Sequence, residues 1–413
     1  MNSDDVGGGV QIMPWKNVCP MDNKLLFISE YLNGYFSVST LCERYCISRK
    51  TGYKWINRYK QSHQASALED LSRQPLASPH KISDDIIAAL LKIRDKHSDW
   101  GPAKILWHLE KDHPDLTYPS YSSVARILKR NGYIKKRRQK INRPHPGKPL
   151  SSMDKPNDIW TADFKGQFKT LDGIYCYPLT VMDGFSRFIL NCKGMDGPKQ
   201  LLVKKAFTRL FKKYGLPSRI RTDNGIPFAS CAIARLSRLS VWWLRLGILP
   251  ELIEPGCPQQ NGRHERMHRT LKKATTFPPA EDMKGQQKRF NDFVSEFNFQ
   301  RPHQAIGMVP PADLYEYSNR TMPDKLPPME YPAHYEVRKV SRNGGIKWGS
   351  GWVNVGKVLR EEYIGLVEID NGIWDVTFGP LWLGILIDKE MKIKDIECRF
   401  ERNPKSEKVL PMS

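Results

Sequence analysis

Three acidic residues stand where acids are out of place. Asp163 falls inside 159–168, a run that alternates as a strand does. It shares one face with Ile159, Thr161 and Lys165, while Trp160, Ala162 and Phe164 share the other. Asp223 closes the strand-like run 218–222 and opens the turn Asn224-Gly225. Ligands of α/β sheets collect just past strand carboxyl ends. Glu265 lies on a helical stretch, 261–275, beside Asn261, Arg269 and Lys272 and opposite an apolar stripe of Met267, Leu271 and Ala274. Taken singly, an Asp after a strand is a turn former and a helical Glu is a solvated side chain. Together, two or three carboxylates converging in a basic surround can hold two Mg²⁺ ions, with Mn²⁺ able to substitute. Such ions activate a water or a 3′-OH and stabilise the leaving oxygen at phosphorus.

The elements that must position these acids read from about residue 158 onward. Runs 159–168, 175–182 and 188–192 are predicted as three consecutive strands joined by turns at Asp172-Gly173 and Asp183-Gly184. An amphipathic helix over 200–214 stops at Gly215 and Pro217. After the strand that ends before Asp223 come a helix over 232–246, a strand near 249–253, and helices over 261–275 and 286–299. Strands first, then helices between later strands, predict an α/β layer sandwich. From 335 to 387, β-branched and aromatic residues alternate between Gly turns, which predicts a small, separate all-β, barrel-like domain.

Upstream the texture is helical. Runs 25–32, 40–45 and 49–59 are three short helices, the last capped by Ser48, and 84–97, 102–111 and 122–131 form a second set. Trp100-Gly101-Pro102 reads as a packed turn. The whole divides into a disordered extension (1–12), a helix-turn-helix domain (13–62), a linker (63–80), a second helical DNA-binding domain (81–134) and a basic linker (135–155). The catalytic core follows (156–318), then a linker (319–333), the β domain (334–400) and a tail (401–413). Met13-Pro14-Trp15-Lys16 could be the true start, because organised sequence begins only after it.

Charge says what these elements face. The 413 residues carry 65 Lys and Arg against 44 Asp and Glu, a net charge of +21. Two bands hold most of the excess: residues 101–150, with twelve basic residues against three acids, and 201–250, with ten against the single acid Asp223. Self-repulsion on that scale needs an anion to offset it, most simply nucleic acid. At 40% hydrophobic and 26% charged, the chain can bury a core, which excludes wholly disordered and collagen-like readings. No apolar run is long enough to cross a membrane and no signal peptide opens the chain. Eight cysteines are scattered without a CxxC pair, which fits a reducing cytoplasm rather than a disulfide scaffold.

The acids sit in motifs. Trp160-Thr161-Ala162-Asp163-Phe164-Lys165-Gly166, Arg221-Thr222-Asp223-Asn224-Gly225 and Pro258-Gln259-Gln260-Asn261-Gly262-Arg263-His264-Glu265-Arg266 resemble the three acidic motifs of DDE-type insertion-sequence transposases. The resemblance extends to Val181-Met182-Asp183-Gly184-Phe185-Ser186-Arg187, to Arg301-Pro302-His303-Gln304-Ala305 and to Pro311-Ala312-Asp313-Leu314-Tyr315, roughly residues 25–320 in all. It implies a retroviral-integrase-like, ribonuclease-H-like core with Asp163, Asp223 and Glu265 as a metal-binding catalytic triad. Forty-one residues separate Asp223 from Glu265, more than is usual in integrases, and the Arg- and Trp-rich helix over 232–246 accounts for the extra length. Integrases carry an N-terminal His/Cys zinc module; helix-turn-helix elements take its place here.

One motif competes. His264-Glu265-Arg266-Met267-His268 is a literal HExxH, the signature of zinc proteases. Arg263, Arg266 and Arg269 would put cations beside a Zn²⁺ site, no third ligand follows at a usual spacing, and a protease explains neither the basic bands nor Asp163 and Asp223.

The DNA-reading elements follow from the same residues. Ser48 opens a recognition helix whose candidate contacts are Arg49, Lys50, Thr51, Tyr53 and Lys54, with Trp55 and Ile56 packed inside. Gly52 within that helix costs about 1 kcal/mol against Ala unless a backbone approaches closely. Arg126 and Lys129 mark a second such helix. Lys135, Lys136, Arg137 and Arg138 supply phosphate contacts, and Lys272 adds one beside Glu265. The expected protein is a transposase that binds the terminal inverted repeats of its element. It would hydrolyse DNA to free 3′-OH ends and join them to target double-stranded DNA, as a homo-oligomer in the bacterial cytoplasm, associated with the nucleoid. The alternative is a domesticated DNA-binding protein that keeps the fold without cutting.

Overall fold

The computed structural model describes residues 19–71, 82–134 and 150–394. The chain divides into two compact units, 1–82 and 83–413.

The first unit is a three-helix bundle. Helix α1 (Pro20–Asn33) begins on a proline, whose missing N–H costs nothing there, and ends at Gly34 in the left-handed conformation. Helix α2 (Val38–Arg44) is capped by Ser37 and α3 (Arg49–Ser62) by Ser48, each hydroxyl accepting from the backbone N–H three residues on. Between α2 and α3 the chain reverses through Cys46, which has a positive φ of 53°. Phe27, Ile28, Leu41, Cys42, Trp55 and Ile56 form the core together with Leu68. Leu68 lies in a 3-10 turn, Ala65–Leu68, inside the segment expected to be a bare linker. Gly52 is buried where a Cβ would come within 2.5 Å of Cys42 Sγ, so the close approach is to the partner helix α2.

The second unit opens with α4 (Asp84–Lys96), α5 (Pro102–Asp112) and α6 (Tyr121–Arg130). Trp100 is fully buried and stacks on His97 with ring centroids 3.9 Å apart, so the turn is packed as expected. An ion pair between Arg301 and Asp99 (2.7 Å) and a contact between His97 and Glu296 (3.2 Å) tie these helices to the layers that follow.

Those layers are built on strands β1 (Ile159–Phe164), β2 (Phe168–Lys169), β3 (Tyr175–Asp183), β4 (Ile189–Met195), β5 (Arg219–Thr222) and β6 (Leu249–Leu252). Strand β3 pairs with β2, β1 and β4, while β1, β5 and β6 run parallel to one another. Alternation sorts the faces. Trp160, Ala162, Leu179 and Val181 pack on α7 (Gln200–Tyr214) and α8 (Arg238–Arg245). Cys176, Met182, Ile189 and Cys192 pack on α9 (Gly262–Thr275) and α10 (Met283–Ser295). The predicted helix over 232–246 is interrupted: Ala234 and Arg235 take positive φ, and α8 starts afresh behind a reciprocal Ser237–Ser240 cap.

The C-terminal strands differ from the expected barrel. Strands β7 (Glu336–Lys339), β10 (Tyr363–Asp370), β11 (Ile373–Phe378), β12 (Leu381–Ile387) and β13 (Lys392–Lys394) form an open sheet in the order β13-β12-β11-β10-β7. Among the described residues, strands β8 (Gly345–Trp348) and β9 (Gly351–Asn354) pair with each other and not with that sheet, so the ladder does not close. The ribbon covers the sheet through side chains instead, with Ile346, Trp348 and Val353 in one apolar cluster with Leu366, Val376 and Leu386. That cluster also takes in Ile233, Leu236, Val241 and Leu244 from the α8 region, so these β strands share a core with the α/β layers.

Candidate active site

Strand register brings the first two acids to one edge of the sheet. Ala162 of β1 pairs with Thr222 of the parallel strand β5, so Asp163 and Asp223 each follow by one step at the carboxyl ends of adjacent strands. Glu265 stands in the first turn of α9, where the helix dipole favours a carboxylate, and it is exposed. Burial pushes the Asp163 carboxyl up to about 7, and the neighbouring charges of Asp223 and Glu265 push the same way. Burial also raises Asp223, against the pull of the Gly225 backbone N–H. Asp223 Oδ1 is buried with no hydrogen-bond partner among the described residues, while a Cβ at position 225 would meet Oδ2 at 2.9 Å. Two half-buried carboxylates with the exposed Glu265 close enough to act on one of them fit a hard divalent cation with oxygen ligands.

Arg221, 5% exposed, fixes the approach of α9 to the sheet. Its Nε donates to Glu251 Oε2 (2.6 Å), and its two terminal nitrogens donate to the carbonyls of Gln260 (3.1 Å) and Ser151 (2.8 Å). One guanidinium thereby joins β5, β6 and the turn that leads into α9.

Behind Asp163 lies a polar hub within an apolar layer. The Thr180 hydroxyl donates to the Asp163 carbonyl (2.9 Å) and contacts Nε2 of His264 (2.7 Å) and of His268 (2.6 Å). That one oxygen therefore joins the carbonyl of Asp163 to both rings, each reached through its Nε2. Thr161 Oγ1 lies 2.7 Å from His264 Nδ1, and His268 Nδ1 stands 3.6 Å from Asp163 Oδ2. Burial holds His264 down to about 3 and lowers His268 as well, so both rings stay neutral.

This arrangement decides how HExxH is used. The two histidines sit on the buried face of α9 with Met267 and Leu271, while Glu265 is exposed, and Ala274, expected in the apolar stripe, is exposed too. Asp163, His264 and His268 are the one group among the described residues whose donor atoms approach metal-ligand spacing, within 4.8 Å of one another. Both Nε2 atoms and His264 Nδ1 are already engaged by threonines, so the pair serves as scaffold behind Asp163. The sequence reading missed Thr180. Its signal was a hydroxyl on the same strand face as Cys176 and Met182, where apolar residues otherwise repeat.

Of the expected DNA contacts, Arg49, Lys50, Tyr53 and Lys54 are exposed on α3, and Trp55 and Ile56 are buried. Thr51 is engaged in the cap, with its hydroxyl 2.9 Å from Ser48 Oγ. Arg126 and Lys129 are exposed on α6, and Lys272 is exposed on α9 with its amine 5.4 Å from the Phe277 ring centre. Lys135, Lys136, Arg137 and Arg138 lie outside the described residues.

Known proteins carry the same parts. Residues 153–258 and 246–311 match the integrase core domain, and residues 51–128 match a homeodomain-like domain. A 39.2 kDa protein of insertion element IS476 from Xanthomonas euvesicatoria is 27% identical over 265 residues, covering 61% of this chain and 71% of that protein. A 31.7 kDa protein of insertion element IS407 from Burkholderia multivorans is 24% identical over 262 residues, covering 61% and 89%. This chain carries the integrase core domain and is similar to proteins of insertion elements. Its homeodomain-like region, of the helix-turn-helix kind, and its integrase core imply DNA binding and the use of divalent metal. The magnesium-bound catalytic core domain of HTLV-2 integrase is similar at 17% identity, covering 39% of this chain and 98% of that one with a TM-score of 0.32. Among the described residues no helix is long and apolar enough to cross a membrane.

Proposed function

We propose that this chain is a transposase that binds the terminal inverted repeats of its own element, hydrolyses DNA to free 3′-OH ends and joins those ends to target DNA. The observation that carries the reading is the unbalanced pair at the strand ends: Asp163 pushed up to about 7 by burial and by its acidic neighbours, and Asp223 with a buried oxygen that has no partner among the described residues. Asp163, Asp223 and Glu265 are the residues that would hold two Mg²⁺ ions, or Mn²⁺ in their place. Bound there, such ions would supply Lewis acidity at phosphorus and lower the pKa of the attacking water or hydroxyl, so that no protein nucleophile is needed.

The chain's own contribution is placement. Thr180 and the two neutral histidines fix the strand that carries Asp163, Arg221 fixes the start of α9, and the exposed cations of α9 offer contacts to DNA phosphates. Arg49, Lys50, Tyr53 and Lys54 of α3 read base edges or phosphates, Arg126 and Lys129 contribute from α6, and 135–138 add backbone contacts. The working form is a homo-oligomer in the DNA complex, acting in the bacterial cytoplasm on nucleoid DNA.

The deciding experiment is Mg²⁺-dependent cleavage of a duplex that bears the element's end. Wild type should cut it and Asp163→Ala should not. Cleavage that survives Asp163→Ala would remove the site assignment, and a wild type that binds the end without cutting would favour the non-catalytic, domesticated reading.

A further inference from the structure

A pocket of about 90 Å³ lies where the α4–α6 helices meet the catalytic layers, and the side chains lining it include Lys104, Arg187, Arg263, Arg266, Arg301 and His303. About three water volumes would fill it. The residues come from four separate stretches: α5, the turn between β3 and β4, α9 and the segment after α10. Among the described residues no carboxylate lines it. The nearest compensation is Asp99, which pairs with Arg301 at 2.7 Å, and Glu296, whose charge reaches Lys104.

The cations there act on one another more than they are neutralised. Burial, then the charge of Arg301, pulls the Lys104 amine down to about 7, and burial followed by Arg263 and Arg266 lowers Arg187. Two buried nitrogens of the pocket, Arg187 Nε and His303 Nε2, have no hydrogen-bond partner among the described residues. Buried polar groups are almost always satisfied, so the orphaned Arg187 Nε–H marks a missing acceptor; His303, kept neutral by burial with its other nitrogen on the Phe297 backbone, takes no part in the grip. Arg301 is 8% exposed, whereas Arg263 and Arg266 are exposed and leave a way in.

We infer that this pocket seats a single phosphate group, gripped by Arg187, Arg301 and Lys104 within and by Arg263 and Arg266 at its rim. Guanidinium forks match a tetrahedral oxyanion, and charge-assisted hydrogen bonds are the strong ones where water is scarce. The site is distinct from the three carboxylates, although Arg263 and Arg266 flank Glu265 on α9. The group could be a phosphodiester of bound DNA or free inorganic phosphate, and the same chemistry recognises both.

The test uses the full chain prepared without phosphate and titrated with inorganic phosphate by calorimetry. Wild type should take up one phosphate per chain. The Lys104→Gln/Arg266→Gln variant should bind at least about ten-fold more weakly, the scale of one charge-assisted hydrogen bond. Arg266→Gln alone, at an exposed position, should weaken uptake in the same direction and guards against misfolding of the double variant. No uptake by wild type, or equal uptake by the folded variants, overturns the inference. A second arm measures binding to a DNA duplex against salt. This arm uses Lys104→Gln alone, because Arg266 is an exposed cation of α9 that can meet DNA outside the pocket; if the pocket takes a DNA phosphate, the log–log slope falls by about one. An unchanged slope, alongside weakened phosphate uptake, assigns the pocket to the free anion. None of these readouts depends on DNA cleavage, so they stand or fall apart from the proposed reaction.

Discussion

Thr180 of β3 stands opposite Asp163 of β1, and its hydroxyl bonds both to the Asp163 backbone and to the two histidines of α9. A strand residue and a helix face are thereby locked together one bond away from a candidate catalytic carboxylate. The lock is made of neutral groups, so it adds no charge beside three acids that already crowd one another.

Thr180→Val keeps the shape and removes the hub. Both ring Nε2 atoms would lose their partner in a buried layer, which costs about 2–6 kcal/mol at roughly 1–3 per unsatisfied group. The urea midpoint should fall accordingly, and Thr180→Ser should restore most of it. A midpoint within error of wild type would show that the histidines find other partners.

Neutralising Asp163 should stabilise the metal-free protein while abolishing cleavage. In EDTA at pH 8 the buried carboxyl is charged against its own environment, so Asp163→Asn should melt several degrees higher than wild type. Added Mg²⁺ should raise the melting temperature of wild type and leave that of an Asp163→Asn/Asp223→Asn variant unmoved, because only a folded-state site gains from the ligand. A wild type indifferent to Mg²⁺ would count against the carboxylate site.

His303 supplies a pH dependence. Burial holds its ring down to about 3 from an ordinary 6.5, helped by the charges of Lys104, Arg301 and Arg187. Below pH 6.5 the unfolded chain binds a proton there that the folded chain refuses, so its stability contribution is present at neutral pH and is lost as pH falls from 6.5 toward 3. The loss is about 1 kcal/mol between pH 6.5 and 5.5. In phosphate-free buffer, His303→Gln should flatten the fall of stability over that interval. An identical fall in the variant would mean that His303 titrates normally in the folded protein.

In the first unit, Gly52→Ala should destabilise by about 1–3 kcal/mol, since the new methyl collides with Cys42 Sγ in a packed core. Arg49→Ala and Lys50→Ala, at exposed positions of the same helix, should leave the melt unchanged, weaken duplex binding and reduce its salt slope. A Gly52→Ala protein as stable as wild type would place slack between α2 and α3.

How much of this is legible in the sequence depends on whether the cause is local. Helix α7 falls on 200–214 as read, because its periodicity and the Gly215 stop belong to one continuous segment. The break before α8 is hidden: Ser237 and Ser240 sit inside an apolar, Arg-rich run, and only their reciprocal hydrogen bonds reveal a new helix start. The alternation that places Asp163 on its own strand face also places Thr161 and Thr180 with it, but HExxH points toward zinc because a linear motif does not say which way its rings face. The basic pocket is out of reach for another reason. Lys104 and Arg301 are nearly two hundred residues apart, and each looks like an ordinary surface cation until the chain folds. The barrel expectation fails because alternation tells which residues face inward and not whether the last strand finds the first.

The apolar cluster shared by the α8 region and the C-terminal strands has a genetic consequence. Ile233, Val241 and Leu244 lie upstream of Glu265, yet their cover is made by residues encoded a hundred codons further on. A frameshift or stop after the last acidic motif would therefore not leave a smaller working core that competes for DNA. It would leave a sticky, aggregation-prone fragment, and damaged copies of such a gene would fall silent instead of interfering with intact ones.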